Sequence, residues 1–205
     1  MKRTFAAVLA GGAASRMDGE KVGAQLHGQP LIAYPLAAIA EAGLEAAVCV
    51  KPGQDLPLAG PIVGRDPSEE PQGGIWILEE PAEPRHPLCG IVAALRAGEG
   101  RPIVALACDL PFVPAALIRL LAEAREPLVV PTLGGRLQPL CGRYEPRLLP
   151  RLEAALACEE PMARAVEALD PRRLGEEELE RLGDPERLLF NINDAGDLRR
   201  AEALF

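Results

Sequence analysis

Short apolar runs alternating with helical stretches dominate the first 130 residues of this 205-residue chain, and they leave few architectures open. The runs are Phe5–Leu9, Ala46–Val50, Ile75–Leu78, Ile103–Ala107 and Leu128–Val130. Between them lie helical segments: Leu31–Ala42 closed by Gly43, Ile91–Ala97 closed by Gly98, and Ala115–Glu126 entered after Pro114. Strand, helix, strand in repetition is the pattern of a parallel sheet with crossover helices, an α/β fold in three layers. Beyond Val130 the rhythm changes. The Gly134-Gly135 turn and Leu137–Tyr144 read as a hairpin that adds one antiparallel strand. Leu148–Leu156, Met162–Leu169 and Ala195–Leu204 read as helices, Glu176 to Glu180 as a solvated acidic face, and Asp66 to Gly74 as a surface loop. No repeat or linker divides the chain, so a single domain over 1–205 is expected.

Within this frame the first strand carries the strongest chemical signal. Phe5–Leu9 runs into Ala10, Gly11 and Gly12, with Arg16 and Lys21 following on the same loop. A glycine pair lets backbone bend sharply and present its N–H groups to phosphate oxygens. A forked guanidinium and an ammonium beside such a nest complete a triphosphate cradle. Neither the Gly-x-Gly-x-x-Gly loop nor the Gly-x-x-x-x-Gly-Lys loop fits, because Val22 follows Lys21 and Glu20 precedes it. Lysine is scarce here, at positions 2, 21 and 51 among 22 basic residues, so Lys21 is not background.

Four further clusters carry polar chemistry. Cys108-Asp109-Leu110-Pro111 follows the fourth apolar run directly, which puts Asp109 at the carboxyl end of a strand, where ligands of parallel sheets gather. One carboxylate suffices for Mg²⁺, which keeps water and phosphate in its shell. As the N-cap of the next helix Asp109 is the poorer candidate, since Pro114 offers a better entry. His86-Pro87-Leu88-Cys89-Gly90 is a second loop, with Gly90 allowing close approach, and His86 reads as a surface histidine before it reads as a base. Asn191 and Asn193 are the only asparagines and flank Ile192, so alternation in a short strand sets both amides on one face, with Asp194 capping the next helix as the plainer alternative. Gln138 lies on the returning hairpin.

Charge and composition exclude several classes. A net charge of −8 argues against nucleic-acid partners, whose binding rests on phosphate neutralisation. No apolar run approaches the roughly 20 residues of a membrane helix, and Phe5–Leu9 is too short for a signal peptide, so no membrane association and a cytoplasmic location are expected. Five cysteines without Cys-x-x-Cys spacing indicate neither disulfides nor zinc, and read as small core residues.

Leu9 to Gly12, Arg16, Met17 and Lys21 match, without gaps, the nucleotidyltransferase signature Leu-Ala-Gly-Gly-x-x-x-Arg-Met-x-x-x-Lys. Taken with the other four clusters, the chain resembles the molybdenum cofactor guanylyltransferase (MobA) family. The resemblance implies a Rossmann-like mixed α/β nucleotidyltransferase fold and transfer of GMP from GTP to molybdopterin with release of pyrophosphate. It also implies that Leu9, Ala10, Gly11 and Gly12 line the nucleotide, that Lys21 binds phosphate, and that Asp109 holds Mg²⁺. Arg16 and Lys21 would neutralise the leaving pyrophosphate; Gln138, Asn191 and Asn193 would serve the acceptor. An acid upstream of the Gly90 loop touches nucleotide in the family, and Glu80 matches it best, with Glu79 and Asp66 as alternatives. The chain departs from the family at His86, where glycine is usual, and at Val50-Lys51, where an asparagine is missing. Other molybdenum cofactor biosynthesis proteins and molybdoenzymes are the implied partners. The rival readings are a cytidylyl- or sugar-phosphate nucleotidyltransferase and a non-catalytic nucleotide-binding adaptor. Ala10-Gly11-Gly12 favours guanine over the Ala-Ala-Gly of cytidylyl relatives, and Lys21 with Asp109 argues against the adaptor.

Overall fold

Ala6 and Val8 pack to one side of the first strand while Phe5 and Ala7 pack to the other, and all four are fully buried. A strand apolar on both faces has to lie inside a sheet covered by helices on both sides, and the computed structural model has that arrangement. It describes residues 2–11, 24–57, 62–63 and 74–205.

The strands are β1 (Phe5–Leu9), β2 (Gln25–Leu26), β3 (Gln29–Pro30), β4 (Ala46–Val50), β5 (Ile62–Val63), β6 (Ile75–Glu79), β7 (Ile103–Ala107), β8 (Leu128–Leu133), β9 (Arg136–Leu137), β10 (Cys141–Tyr144) and β11 (Arg172–Leu174). Helices α1 (Ala33–Ala42), α2 (Leu88–Ala97), α3 (Ala115–Glu123), α4 (Leu149–Ala157), α5 (Met162–Glu167), α6 (Glu176–Glu180), α7 (Pro185–Leu188) and α8 (Ala195–Glu202) connect them. The main sheet runs β11-β8-β10-β7-β1-β4-β6-β5, and β2 and β3 form a separate small hairpin. Strands β7, β1, β4, β6 and β5 are mutually parallel. β10 is antiparallel to both β7 and β8, and β9 pairs antiparallel with β8. Helices α1 and α3 cover one face together, and α2 and α4 cover the other.

The expected sequence of strands and helices is present, with shifted ends. The hairpin forms between β8 and β9, where Gly134 and Gly135 both adopt positive φ, 55° and 71°. Such a turn twists with its strands, and only glycine takes it without strain. α1 starts at Ala33 rather than Leu31, because β2 and β3 fold back first and the Leu31 N–H donates to Ala24 O. α2 starts three residues before Ile91: the His86 ring accepts the Leu88 N–H through Nδ1, so Gly90 lies in the first turn of a helix and not in a loop. α3 ends at Glu123 instead of Glu126 because other groups take its last carbonyls. Arg143, fully buried on β10, donates to Ala122 O, to Glu126 O and to Thr4 Oγ1, and pairs with Glu145 at 3.1 Å.

Candidate active site

The chain path sets where a ligand can sit. From β1 the chain moves outward to β4 and β6, then returns to place β7 on the other flank of β1. At such a switch point the connections leave the strand ends in opposite directions and a crevice opens above the carboxyl ends. Register brings Leu9, Cys49, Leu78 and Ala107 level across β1, β4, β6 and β7. Hydrogen bonding continues one step past the strands, from Ala10 N–H to Cys49 O, Glu80 N–H to Val50 O and Cys108 N–H to Leu9 O.

On the β6 side, Glu80 lies 5% exposed with its carboxylate over Gly11. A Cβ on Gly11 would stand 1.2 Å from Glu80 Oε1, so glycine is what admits this side chain. Gly90 is comparably close-packed: a Cβ there would lie 2.8 Å from Leu9 Cδ2, 3.4 Å from Cys49 Cβ and 3.7 Å from Glu80 Oε2. Burial pushes the Glu80 carboxyl above its ordinary range, and the nearby Lys51 ammonium pulls it back in part. Gln54 ties the floor together, accepting the Lys51 N–H at 3.1 Å and donating to Ala10 O at 3.0 Å. Glu79, the last residue of β6, is exposed, so of the two described acids Glu80 is the one held against Gly11.

On the β7 side, Asp109 is 5% exposed, and its carbonyl accepts the Ile192 N–H at 3.0 Å. It does not cap a helix; Pro114 precedes α3, as expected. The Ile192 bond draws the 191–193 segment to the end of β7. That segment pairs in no sheet, contrary to the expected short strand, because its backbone N–H groups bond to Asp109 O and to the Asp197 carboxylate in the first turn of α8. Ile192 is buried, Asn191 half-buried and Asn193 exposed, so the two amides do not share one environment. Asp194 caps α8, accepting from Gly196 and Asp197, and the buried Asp197 carboxylate accepts the Asn193 N–H at 2.8 Å. Those bonds, with Arg200, hold the Asp197 carboxyl below its ordinary range. Gln138 sits in the turn between β9 and β10, two residues before Leu140, whose carbonyl accepts the Ala107 N–H at 2.7 Å.

His86 is spent on architecture. Nδ1 accepts from Leu88, so the other nitrogen carries the proton and donates to Glu160 O at 3.0 Å. Four cysteines are buried and Cys158 is exposed, and none is in a disulfide. Gly12, Arg16, Lys21 and Asp66 lie outside the described residues. Among the described residues no helix is long and apolar enough to cross a membrane, and no group of three or more His, Cys, Asp or Glu could hold a metal.

An acid on each flank of a glycine-floored switch point can bracket a nucleotide, and known proteins bear on that directly. Residues 6–174 match the family described as MobA-like NTP transferase domain. The chain belongs to this family. It is therefore a nucleotidyltransferase enzyme. The chain is 31% identical over 208 residues to the molybdenum cofactor guanylyltransferase of Cereibacter sphaeroides, spanning 98% of this chain and 97% of that one. The crystal structure of molybdopterin-guanine dinucleotide biosynthesis protein A from Archaeoglobus fulgidus shares the fold, with TM-score 0.75, 24% identity, and coverage of 98% and 97%. So does 2-C-methyl-D-erythritol 4-phosphate cytidylyltransferase from Thermus thermophilus, with TM-score 0.63, 22% identity, and coverage of 97% and 96%. For this MobA-like enzyme, sequence patterns alone missed Lys51 and Gln54 as site-floor residues and Asp197 as the anchor of Asn193. The spacing Asp194-x-x-Asp197, a capping arrangement, is the signal that could have found the last.

Proposed function

We propose that this enzyme transfers GMP from GTP to the terminal phosphate of molybdopterin and releases pyrophosphate. The observation that carries the reading is the placement of Glu80 and Asp109 on opposite flanks of β1. Full-length similarity to a protein named molybdenum cofactor guanylyltransferase supports it.

In this reading the guanine lies over the ends of β4 and β6, with Leu9, Ala10, Gly11 and Gly90 as its floor. The two carboxylate oxygens of Glu80 accept the N1–H and the N2 amino group of guanine. The triphosphate then runs toward β7. The acceptor phosphate attacks the α-phosphorus in line, a new P–O bond forms, and the bond from the α-phosphorus to the bridging oxygen breaks, so pyrophosphate departs with the electron pair. The protein contributes position and charge. Arg16, Lys21 and the Gly11-Gly12 amides meet the negative charge that grows on the leaving group.

The donor set beside Asp109 fits Mg²⁺, since its carboxylate is a hard oxygen ligand and Asn191 Oδ1, next in line to the Asp109–Ile192 bond, is buried with no hydrogen-bond partner among the described residues. Asp109 would hold the ion, and the ion would supply charge neutralisation at the phosphates. Asn191, Asn193 and Gln138 line the acceptor side. The reading also carries a single domain over 1–205, a cytoplasmic location, and exchange of pterin with other molybdenum cofactor proteins and molybdoenzymes.

Calorimetric titration with GTP and with CTP in the presence of Mg²⁺ tests the nucleotide, and pyrophosphate release with molybdopterin tests the transfer. GTP should bind in clear preference. Asp109→Ala should abolish turnover, and Lys21→Ala should weaken both binding and turnover. Preference for CTP, or near-normal rates in either variant, removes the assignment.

A further inference from the structure

Lys51, the first residue after β4, is placed with more care than a surface lysine. Its ammonium donates to Pro81 O and, at 3.4 Å, to Pro84 O, and its side chain is 19% exposed. Nζ stands 3.9 Å from Glu80 Oε2, beyond hydrogen-bond length, so the two charges lie side by side with neither consumed by the other. An ammonium has three donors. Among the described residues two go to the proline carbonyls, and one remains next to the carboxylate. The proline carbonyls fix Nζ, so this donor is positioned before any ligand arrives.

We infer that Lys51 is a specificity-determining residue that donates to O6 of the guanine whose N1 and N2 protons Glu80 accepts. This rests on the guanylyltransferase reading. The physical argument is one of pattern. A fixed donor beside two acceptors complements an edge that reads acceptor, donor, donor, and guanine is the base with that edge. Adenine sets its N6 amino group, and cytosine its N4 amino group, where guanine has O6. Each would then bring N–H groups against a half-buried cation and leave Glu80 without the N–H donors it accepts, so the pair rejects as well as selects. Gly11 and Gly90 serve the same end by leaving no side chain over the pair.

The test is binding calorimetry on the intact protein with Mg²⁺, using GTP, 6-thio-GTP, ITP and CTP. 6-Thio-GTP keeps both guanine N–H donors but replaces O6 with the poor acceptor sulfur, and ITP keeps O6 but lacks the N2 amino group. Lys51→Met should weaken GTP and ITP by about tenfold to a hundredfold, the range for a lost hydrogen bond to a charged group. It should leave 6-thio-GTP nearly unchanged, so that the preference of the wild-type protein for GTP over 6-thio-GTP collapses. Lys51→Arg should restore that preference. Equal losses for GTP and 6-thio-GTP would overturn the inference, since they would make Lys51 a mere counter-ion for Glu80. If Lys51→Met does not fold, Lys51→Gln decides: a neutral donor should keep part of the discrimination, and its complete retention of GTP affinity would count against the charged contact. The wild-type arm separates the two levels. A wild-type protein that prefers CTP, or binds neither nucleotide, refutes the guanylyltransferase reading first.

Discussion

Gly11→Ala, just past the end of β1, and Gly142→Ala, inside buried β10, add the same single carbon and should fail in opposite ways. At Gly11 the three nearest atoms to the new Cβ all belong to Glu80: Oε1 at 1.2 Å, Cδ at 2.4 Å and Cγ at 3.3 Å. The carboxylate must therefore swing from 1.2 Å to the 3.4 Å or more of ordinary contact, while the backbone around it is untouched. The fold loses little by this, since what moves is the end of a flexible side chain. Under the proposed reading the site loses the carboxylate that reads the base, whose charge-assisted hydrogen bonds are worth about 1.5 to 3 kcal/mol each, or roughly tenfold to a hundredfold in GTP affinity. At Gly142 the new Cβ would stand 2.9 Å from Val129 O and 3.3 Å from Val130 Cγ2, atoms of the neighbouring strand that cannot swing away. Overpacking of this kind costs about 1 to 3 kcal/mol, which in a chain of this size lowers Tm by about 2–4 °C per kcal/mol. Thermal melts and GTP titrations on both variants read the contrast. A Gly11→Ala protein with unchanged GTP affinity, or one whose Tm falls as far as that of Gly142→Ala, would refute the placement of Glu80 over Gly11.

Arg143→Ala should be the most damaging of the remaining substitutions, because it removes a fully buried guanidinium that bonds half-buried Thr4 and Glu145 and the Ala122 and Glu126 carbonyls. Losing its hydrogen bonds should cost about 1.5 to 3 kcal/mol, since Glu145 keeps Arg147 as a partner, and chemical denaturation should show it. Asp197→Asn should lose about 1 to 2 kcal/mol at neutral pH. Because the Asp197 carboxyl is held below its ordinary 3.8, its stabilising contribution is present above that pH and disappears as pH falls through the lowered value, so wild-type and variant melts should converge in acid. Glu80 behaves in the reverse sense. Its raised carboxyl favours the folded apoprotein below its ordinary 4.5, and that contribution is lost as pH rises through the raised value. Under the proposed reading, ionisation over the same window switches on the acceptor for guanine, so GTP affinity should rise with pH in the wild-type protein and stay flat in Glu80→Gln; a flat wild-type profile would contradict the role.

The parallel strands were legible because both of their faces are buried, which writes an unbroken apolar run into the chain. Asp109 and Gly11 were legible for a related reason, as each directly follows such a run. What escaped depends on contacts between distant residues. Nothing in Val50-Lys51 announces that the lysine folds over the end of β6, and nothing in Cys141-Gly142-Arg143-Tyr144 announces a buried guanidinium, since arginine is read as surface until its partners are known. Glu79 and Glu80 differ by one position at a strand end, where alternation stops being a guide to facing; only the close approach to Gly11 separates them. The starts of α1 and α2 were displaced by a two-strand hairpin and by a histidine ring acting as a cap, devices that carry no periodicity.

The hydrogen bond from Ile192 to Asp109 joins parts of the chain more than eighty residues apart, and the family match, ending at residue 174, stops short of its donor. Under the proposed reading the nucleotide is handled within the matched stretch, whereas Asn191 and Asn193 come from the tail that follows it. The joint between the two is broad: that main-chain bond, which no side-chain substitution on the tail removes, is backed by Ile192 and Ala201 packing on Leu26 and Leu31 and by Phe112 against Phe190 and Phe205. A lineage could retool the tail for another phosphorylated acceptor and keep the nucleotide machinery intact.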